Sequence, residues 1–137
     1  MRKALVLPLD TGSTIVVGSS GAALRPVAVN ASYAAAKAAI WVFARGVAEE
    51  AASMGIRLHC LLPVLSPQTE LGHDALRDFS RYAGVSEDSI IEQKKLKPFI
   101  TPAIMGSAVV SILTDPSRSK VVSFTVTGEG LQPIEHS

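Results

Sequence analysis

Apolar runs and segments of helical periodicity alternate along the chain, and their order indicates an α/β protein. Three short runs rich in β-branched and other apolar residues are predicted strands, at residues 13–19, 56–62 and 120–127. The first is a continuous apolar stretch, as expected for a strand that is covered on both faces. The segment 31–53 has helical spacing, and a second amphipathic helix is predicted to start at Thr101-Pro102.

Local signals mark where several helices begin and end. Thr101 followed by Pro102 combines a capping residue with proline at the first helical position. Ser86 is a candidate cap for a short helix, and another short helix is predicted at 71–83. Gly55 suits the left-handed position that follows many helices, so the helix at 31–53 is expected to end just before it.

One face of the helix predicted at 31–53 repeats at helical spacing and is expected to lie against the sheet or against a partner. Its members are Tyr33, Ala36, Ile40, Phe43, Val47 and Ala51. The many alanines between them let the helix backbone approach its neighbours closely.

The order strand–helix–strand–helix–strand predicts a partial Rossmann-like, doubly wound fold. Its core would be a three-stranded parallel sheet with right-handed crossover helices. Ligands bind such sheets outside the carboxyl ends of the strands. Ser20 and Pro63 follow or end two of the strands, and Tyr33 and Lys37 begin the helix that leaves the same edge. The topology therefore gathers these four residues in one region.

Composition fits one domain spanning residues 1–137. The chain has a formal net charge of +1 and 47% hydrophobic residues, which gives no electrostatic reason to expect nucleic acid or an anionic membrane as partner. Its single cysteine, Cys60, excludes an internal disulfide. The apolar part of residues 1–9 is too short for a signal peptide, and no run reaches the roughly 20 apolar residues that span a bilayer. We expect a cytoplasmic protein.

Tyr33 and Lys37 are four residues apart at the start of the alanine-rich helix. On a helix, this spacing places both side chains on one face. A free tyrosine has a pKa of about 10, and a nearby cation favours its ionised form. The pair therefore has the composition of a proton-transfer site.

The residues around this pair resemble those of the short-chain dehydrogenase/reductase family. A strand runs into Gly18-Ser19-Ser20-Gly21, and Ser20 lies thirteen positions before Tyr33 in the Tyr-x-x-x-Lys motif. The resemblance covers roughly residues 5–133 and matches the C-terminal half of the family fold. It implies that residues 1–12 are the remnant of a helix and that residues 63–100 form the substrate-loop region.

The resemblance also implies roles for three residues. Tyr33 would give a proton to a carbonyl oxygen, or take one from an alcohol, as a hydride moves from or to NAD or NADP. Ser20 would hydrogen-bond the same oxygen. Lys37 would lower the pKa of the tyrosine, and Lys37 together with Tyr33 would hold the nicotinamide ribose.

A loop after the second strand would line the nicotinamide. Pro63, Val64 and Thr69 match the corresponding family loop with two departures. Val64 stands where the family usually has glycine, which is used where a backbone approaches a ligand closely. Thr69 lies one position late, so Ser66 or Gln68 is a candidate for its contacts.

The glycine-rich dinucleotide fingerprint G-x-G-x-x-G is absent from the sequence. We therefore expect the chain to be inactive alone, and to require either self-association or a missing N-terminal half. The substrate, a small carbonyl or alcohol, and the preference for NAD or NADP are left open.

Two alternatives belong to other functional classes. The exposed edge of the first strand and the helix 31–53 would suit a non-catalytic association module. A serine hydrolase would use Ser20 as nucleophile, but the sequence around it lacks G-x-S-x-G. No pair of His, Cys or carboxylate residues has the spacing of metal ligands, so no metal site is predicted.

Overall fold

A computed structural model describes residues 10–135. The strands are β1 Thr14–Gly18, β2 Arg57–Pro63, β3 Ser123–Thr127 and β4 Gly130–Pro133. The helices are α1 Ala31–Ser53, α2 Glu70–Ala83, α3 Glu87–Gln93 and α4 Pro102–Thr114. Short 3-10 turns lie at Gly21–Ala23, Ala28–Asn30 and Pro116–Arg118.

The sheet has four strands in the order β1-β2-β3-β4, so the predicted three-stranded sheet is wrong in its strand count. The first three strands are parallel, as predicted, and β4 pairs antiparallel with β3. The extra strand follows a tight turn in which Gly130 has a φ of +105°. The sequence signal for β4 is weak because the strand has four residues and ends at Pro133, which only a sheet edge tolerates.

Helices cover both faces of the sheet, as the doubly wound prediction requires. On one face, buried residues of α1 pack against alternate residues of β2: Ala44, Val47, Ala51, Leu58, Cys60 and Leu62. On the other face, α4 packs against β2 and β3 through Leu61, Ala108, Ile112, Phe124 and Val126. A third cluster lies under α2 and α3 and consists of Leu76, Ile90, Ile91 and Leu96.

Most element boundaries match the sequence signals. The helix α1 has the predicted bounds, and Gly55 follows it with a φ of +70°. The side chains of Ser86 and Thr101 cap α3 and α4 as expected. Residues 10–12 form a turn, and the rest of the predicted helix remnant at 1–12 lies outside the described residues.

Candidate functional site

The segments that follow β1 and β2 meet at the carboxyl edge of the sheet. The backbone N–H of Ser19 donates to the carbonyl of Leu61 at 2.8 Å, which extends the β1–β2 ladder beyond Gly18. Gly21 then passes so close to the next segment that a Cβ added there would lie 3.2 Å from the carbonyl oxygen of Pro63 and 3.4 Å from Cα of Val64. The structure therefore brings the serine segment and the proline loop together.

Ser20 caps the 3-10 turn that begins at Gly21. Its hydroxyl oxygen accepts a hydrogen bond from the backbone N–H of Ala22 at 3.2 Å. Within residues 10–135 the hydroxyl hydrogen of Ser20 has no acceptor. The side chain is therefore held in place through its oxygen and keeps a donor for a ligand.

Tyr33 and Lys37 lie on successive turns of α1, as the spacing predicted. The ammonium nitrogen of Lys37 lies 5.7 Å from the centre of the Tyr33 ring, within the range of a cation–π contact. Tyr33 is 42% exposed and Lys37 is partly exposed, so neither side chain is enclosed in the core.

A hydrogen bond joins the start of α1 to the end of β1. The hydroxyl of Ser19, which is 7% exposed, donates to the carbonyl oxygen of Lys37 at 2.7 Å. Ser19 is the direct neighbour of Ser20 in the chain. This bond therefore fixes the turn that carries Tyr33 and Lys37 beside the segment that carries Ser20.

The loop between β2 and α2 is stabilised by its own hydroxyl groups. Thr69 caps α2 by accepting from the N–H of Gly72 at 3.0 Å, and its hydroxyl donates to the carbonyl of Ser66 at 2.9 Å. The hydroxyl of Ser66 donates to the carbonyl of Ile100 at 3.3 Å. Both hydroxyl groups that the sequence offered as cofactor contacts thus have protein partners. The helix α2 also lies against the turn Ala28–Asn30, which directly precedes α1.

Val64 anchors the same loop to the sheet. Its N–H donates to the carbonyl of Val126 at 3.0 Å, and its side chain packs against two apolar clusters. The valine that stands in the usual glycine position therefore contributes to the core between the sheet and the α2–α3 segment.

A model of the short chain dehydrogenase family matches residues 3–78, which is more than half of the chain. The chain belongs to the short-chain dehydrogenase family. No curated protein matches it.

Solved structures of short-chain dehydrogenases have the same fold. Sorbitol-6-phosphate 2-dehydrogenase from Erwinia amylovora superposes with a TM-score of 0.70 at 18% identity, covering 85% of this chain and 48% of that protein. Actinorhodin polyketide ketoreductase with NADPH gives a TM-score of 0.68 at 20% identity, covering 85% of this chain and 47% of that protein. A short-chain dehydrogenase/reductase of the glucose/ribitol dehydrogenase type from Brucella melitensis gives a TM-score of 0.68 at 27% identity, covering 88% of this chain and 46% of that protein. The chain spans about half the length of these proteins.

The site presents three hydrogen-bond donors, an ammonium, a phenol and a serine hydroxyl, which are groups that hydroxyl and carbonyl oxygens of a ligand can accept from. Within residues 10–135, no three His, Cys, Asp or Glu side chains are grouped to hold a metal ion. None of the helices in this part of the chain is long and apolar enough to cross a membrane.

Sequence reasoning missed the contribution of Ser19. The signal was present as two adjacent serines at the end of a strand, but a dipeptide does not reveal which hydroxyl is buried. In the structure Ser19 is buried against α1, whereas Ser20 is partly exposed.

Proposed function

We propose that this chain carries the proton-transfer residues of an NAD(P)-dependent oxidoreductase that interconverts a carbonyl and an alcohol. The observation that carries the proposal is the Tyr33–Lys37 pair, with the ammonium 5.7 Å from the ring centre, beside a serine segment that has a free hydroxyl donor. Family membership supports the reaction class.

Each of the three residues has a defined task in this reaction. The Tyr33 hydroxyl gives its proton to the carbonyl oxygen in reduction and takes it back in oxidation. The Lys37 ammonium stabilises the negative charge that develops on the phenolic oxygen when the proton leaves. The Ser20 hydroxyl donates a hydrogen bond to the same substrate oxygen and so stabilises the charge that forms there. A bound nicotinamide would supply or accept the hydride, with Lys37 and Tyr33 holding its ribose.

The loop at Pro63 and Val64 is proposed to border the nicotinamide, and Ser66 and Thr69 to hold that border in shape. This assignment is supported by the close approach of Gly21 to the Pro63 carbonyl and by the hydrogen bonds within the loop. The α2–α3 segment, within residues 63–100, would then cover the substrate.

We also propose that the chain alone is inactive, as the C-terminal half of a family fold. The sequence has no glycine-rich turn to bind the pyrophosphate, and the chain spans about half the length of its structural relatives. Self-association or the N-terminal half of the family fold would complete the site.

Titration with NADPH and NADH, followed by nicotinamide fluorescence, tests this proposal. Tyr33→Phe and Lys37→Ala are compared with Tyr82→Phe and Lys120→Ala, which alter exposed residues elsewhere. Micromolar binding that Lys37→Ala weakens and Lys120→Ala does not would support the site and refute the proposed inactivity. Cofactor affinity that is unchanged in both Tyr33→Phe and Lys37→Ala would refute the proposed position of the cofactor site.

A second candidate function is a non-catalytic association module. Val42 and Phe43 on α1 are 61% and 56% exposed, and within residues 10–135 the strand β1 pairs only with β2. Two results together would favour this candidate. Sedimentation would give a molar mass above that of the monomer, which Val42→Asp lowers but Val110→Asp on α4 does not, and no cofactor would bind up to millimolar concentration. Val110 is a matched control because it is 57% exposed.

A further inference from the structure

The helix α1 is held on the sheet by two hydroxyl groups that come from different strands. Ser19, directly after β1, donates to the carbonyl of Lys37 at 2.7 Å. Ser123, the first residue of β3, accepts from the indole N–H of Trp41 at 2.9 Å. Lys37 and Trp41 are one helical turn apart, so the two bonds act on neighbouring points of the same helix.

Two bonds of this kind fix more than the position of the helix. The strands β1 and β3 lie on opposite sides of β2, so the two anchors are separated across the sheet. A single hydrogen bond would fix only one point of α1. Two anchors on different strands also set its direction and its register along the sheet.

The start of α1 benefits from such an anchor because the side chain that it buries is small. Ala34 is the buried residue in the first ten positions of the helix, and the next buried ones are Ala44 and Val47. Register between packed elements is normally set by large side chains that interdigitate. An alanine surface offers little resistance to sliding, so a polar contact has to set the register there.

We propose that Ser19 is a positioning residue that holds Tyr33 and Lys37 in register with Ser20. The inference rests on the proposed function for its catalytic meaning, since Tyr33 and Lys37 are the proton-transfer pair there. The contact itself is a property of the fold. Without the Ser19 hydroxyl, the first three turns of α1 keep their helical form but lose a defined position relative to the end of β1.

Fluorine NMR of the chain labelled with fluorotyrosine tests this directly. The described part of the chain contains two tyrosines, Tyr33 on α1 and Tyr82 on α2, so Tyr82 is an internal control in the same spectrum. In Ser19→Ala we expect the Tyr33 signal to shift or broaden while the Tyr82 signal stays in place. Amide hydrogen exchange at residues 37–41 should become about fivefold faster, the effect of losing one ordinary hydrogen bond.

The chain offers a matched control for the variant. The hydroxyl of Ser53 donates to the carbonyl of Glu50 at 2.7 Å, at the other end of the same helix and on its exposed side. Ser53→Ala removes the same type of bond and should leave the Tyr33 signal unchanged. Ser19→Thr restores a hydroxyl and should return the Tyr33 signal toward its original position.

The outcomes separate this inference from the proposed function. An unchanged Tyr33 signal in Ser19→Ala would overturn the positioning role. Equal changes at Tyr33 and Tyr82 would also overturn it, because they would indicate general destabilisation. Neither result depends on cofactor binding, so the nicotinamide titration tests the proposed function separately.

Discussion

Gly72, in the first turn of α2, holds the loop that borders the candidate site. A Cβ placed on Gly72 would lie 1.8 Å from the carbonyl oxygen of Ser66 and 2.8 Å from the hydroxyl oxygen of Thr69. The Ser66 oxygen also accepts hydrogen bonds from the N–H and the hydroxyl of Thr69, at 3.1 and 2.9 Å. An alanine at position 72 must therefore displace the backbone that forms the cap of α2.

The free-energy cost can be worked from these contacts. Forcing an extra carbon into packed backbone costs about 1–3 kcal/mol. Losing the threonine cap adds about 1 kcal/mol. Alanine gains up to about 1 kcal/mol over glycine inside a helix, and less in the first turn. The net expectation for Gly72→Ala is a loss of about 2 kcal/mol, which lowers the urea midpoint by about 1 M for a slope of about 2 kcal/mol/M.

Two other helical glycines provide controls of opposite sign. Gly46 in α1 and Gly106 in α4 have no atom within 4 Å of an added Cβ. Gly46→Ala and Gly106→Ala should therefore raise the free energy of unfolding by about 0.5–1 kcal/mol each. Urea unfolding is followed by circular dichroism and by the fluorescence of Trp41. If Gly72→Ala stabilised the chain as much as Gly46→Ala, the tight packing of the loop against α2 would be refuted.

Three further predictions concern buried polar groups. His59 is fully buried, its Nε2 has no partner within residues 10–135, and burial lowers its pKa from 6.5. The unfolded chain therefore binds more protons, and stability should fall as the pH drops through about 6.5. Urea unfolding is measured between pH 7.5 and 5, about the titration range of histidine. His59→Asn should flatten the pH dependence of the free energy of unfolding, whereas His73→Asn, at an exposed position, should leave it unchanged. The same pH dependence in His59→Asn and in the unsubstituted protein would contradict the prediction. Burial raises the pKa of Cys60 to about 11, so an aromatic disulfide reagent at neutral pH should modify it only on unfolding; rapid reaction of the native protein would count against this. Ser123→Ala leaves the indole N–H of Trp41 unpaired and should lower the free energy of unfolding in urea by about 1–3 kcal/mol. A decrease within experimental error would show that water replaces the hydroxyl.

Local signals determined the order of the main elements and most of their boundaries. The bounds of α1, the left-handed Gly55, and the caps at Ser86 and Thr101 depend on contacts within a few residues, so they are readable from the sequence. The parallel order of β1, β2 and β3 follows from the alternation of strands and helices. The family also follows from the sequence, because the spacing of a serine and a Tyr-x-x-x-Lys motif is a local pattern.

The buried face of α1 depended on tertiary packing. The predicted face included Phe43, which is 56% exposed, while its neighbour Ala44 is fully buried. Helical spacing gives the same period for any starting residue, and a helix rich in alanine has little contrast between its sides. In the structure, α1 lies on the sheet with the face that places Trp41 within hydrogen-bonding distance of Ser123.

What only the tertiary structure decided is the use of the two adjacent hydroxyl groups after β1 and the fourth strand. Ser19 and Ser20 are adjacent serines, yet one bonds to the carbonyl of Lys37, 18 residues away, and the other keeps a free donor. The four-residue strand β4 is held by antiparallel pairing with the edge of β3. The Ser19 contact depends on a partner that is distant in sequence, and no local pattern encodes the position of such a partner. The sequence by itself therefore determined the main elements and the chemical groups, and the packed sheet determined which of those groups have partners within the fold and which keep a free donor.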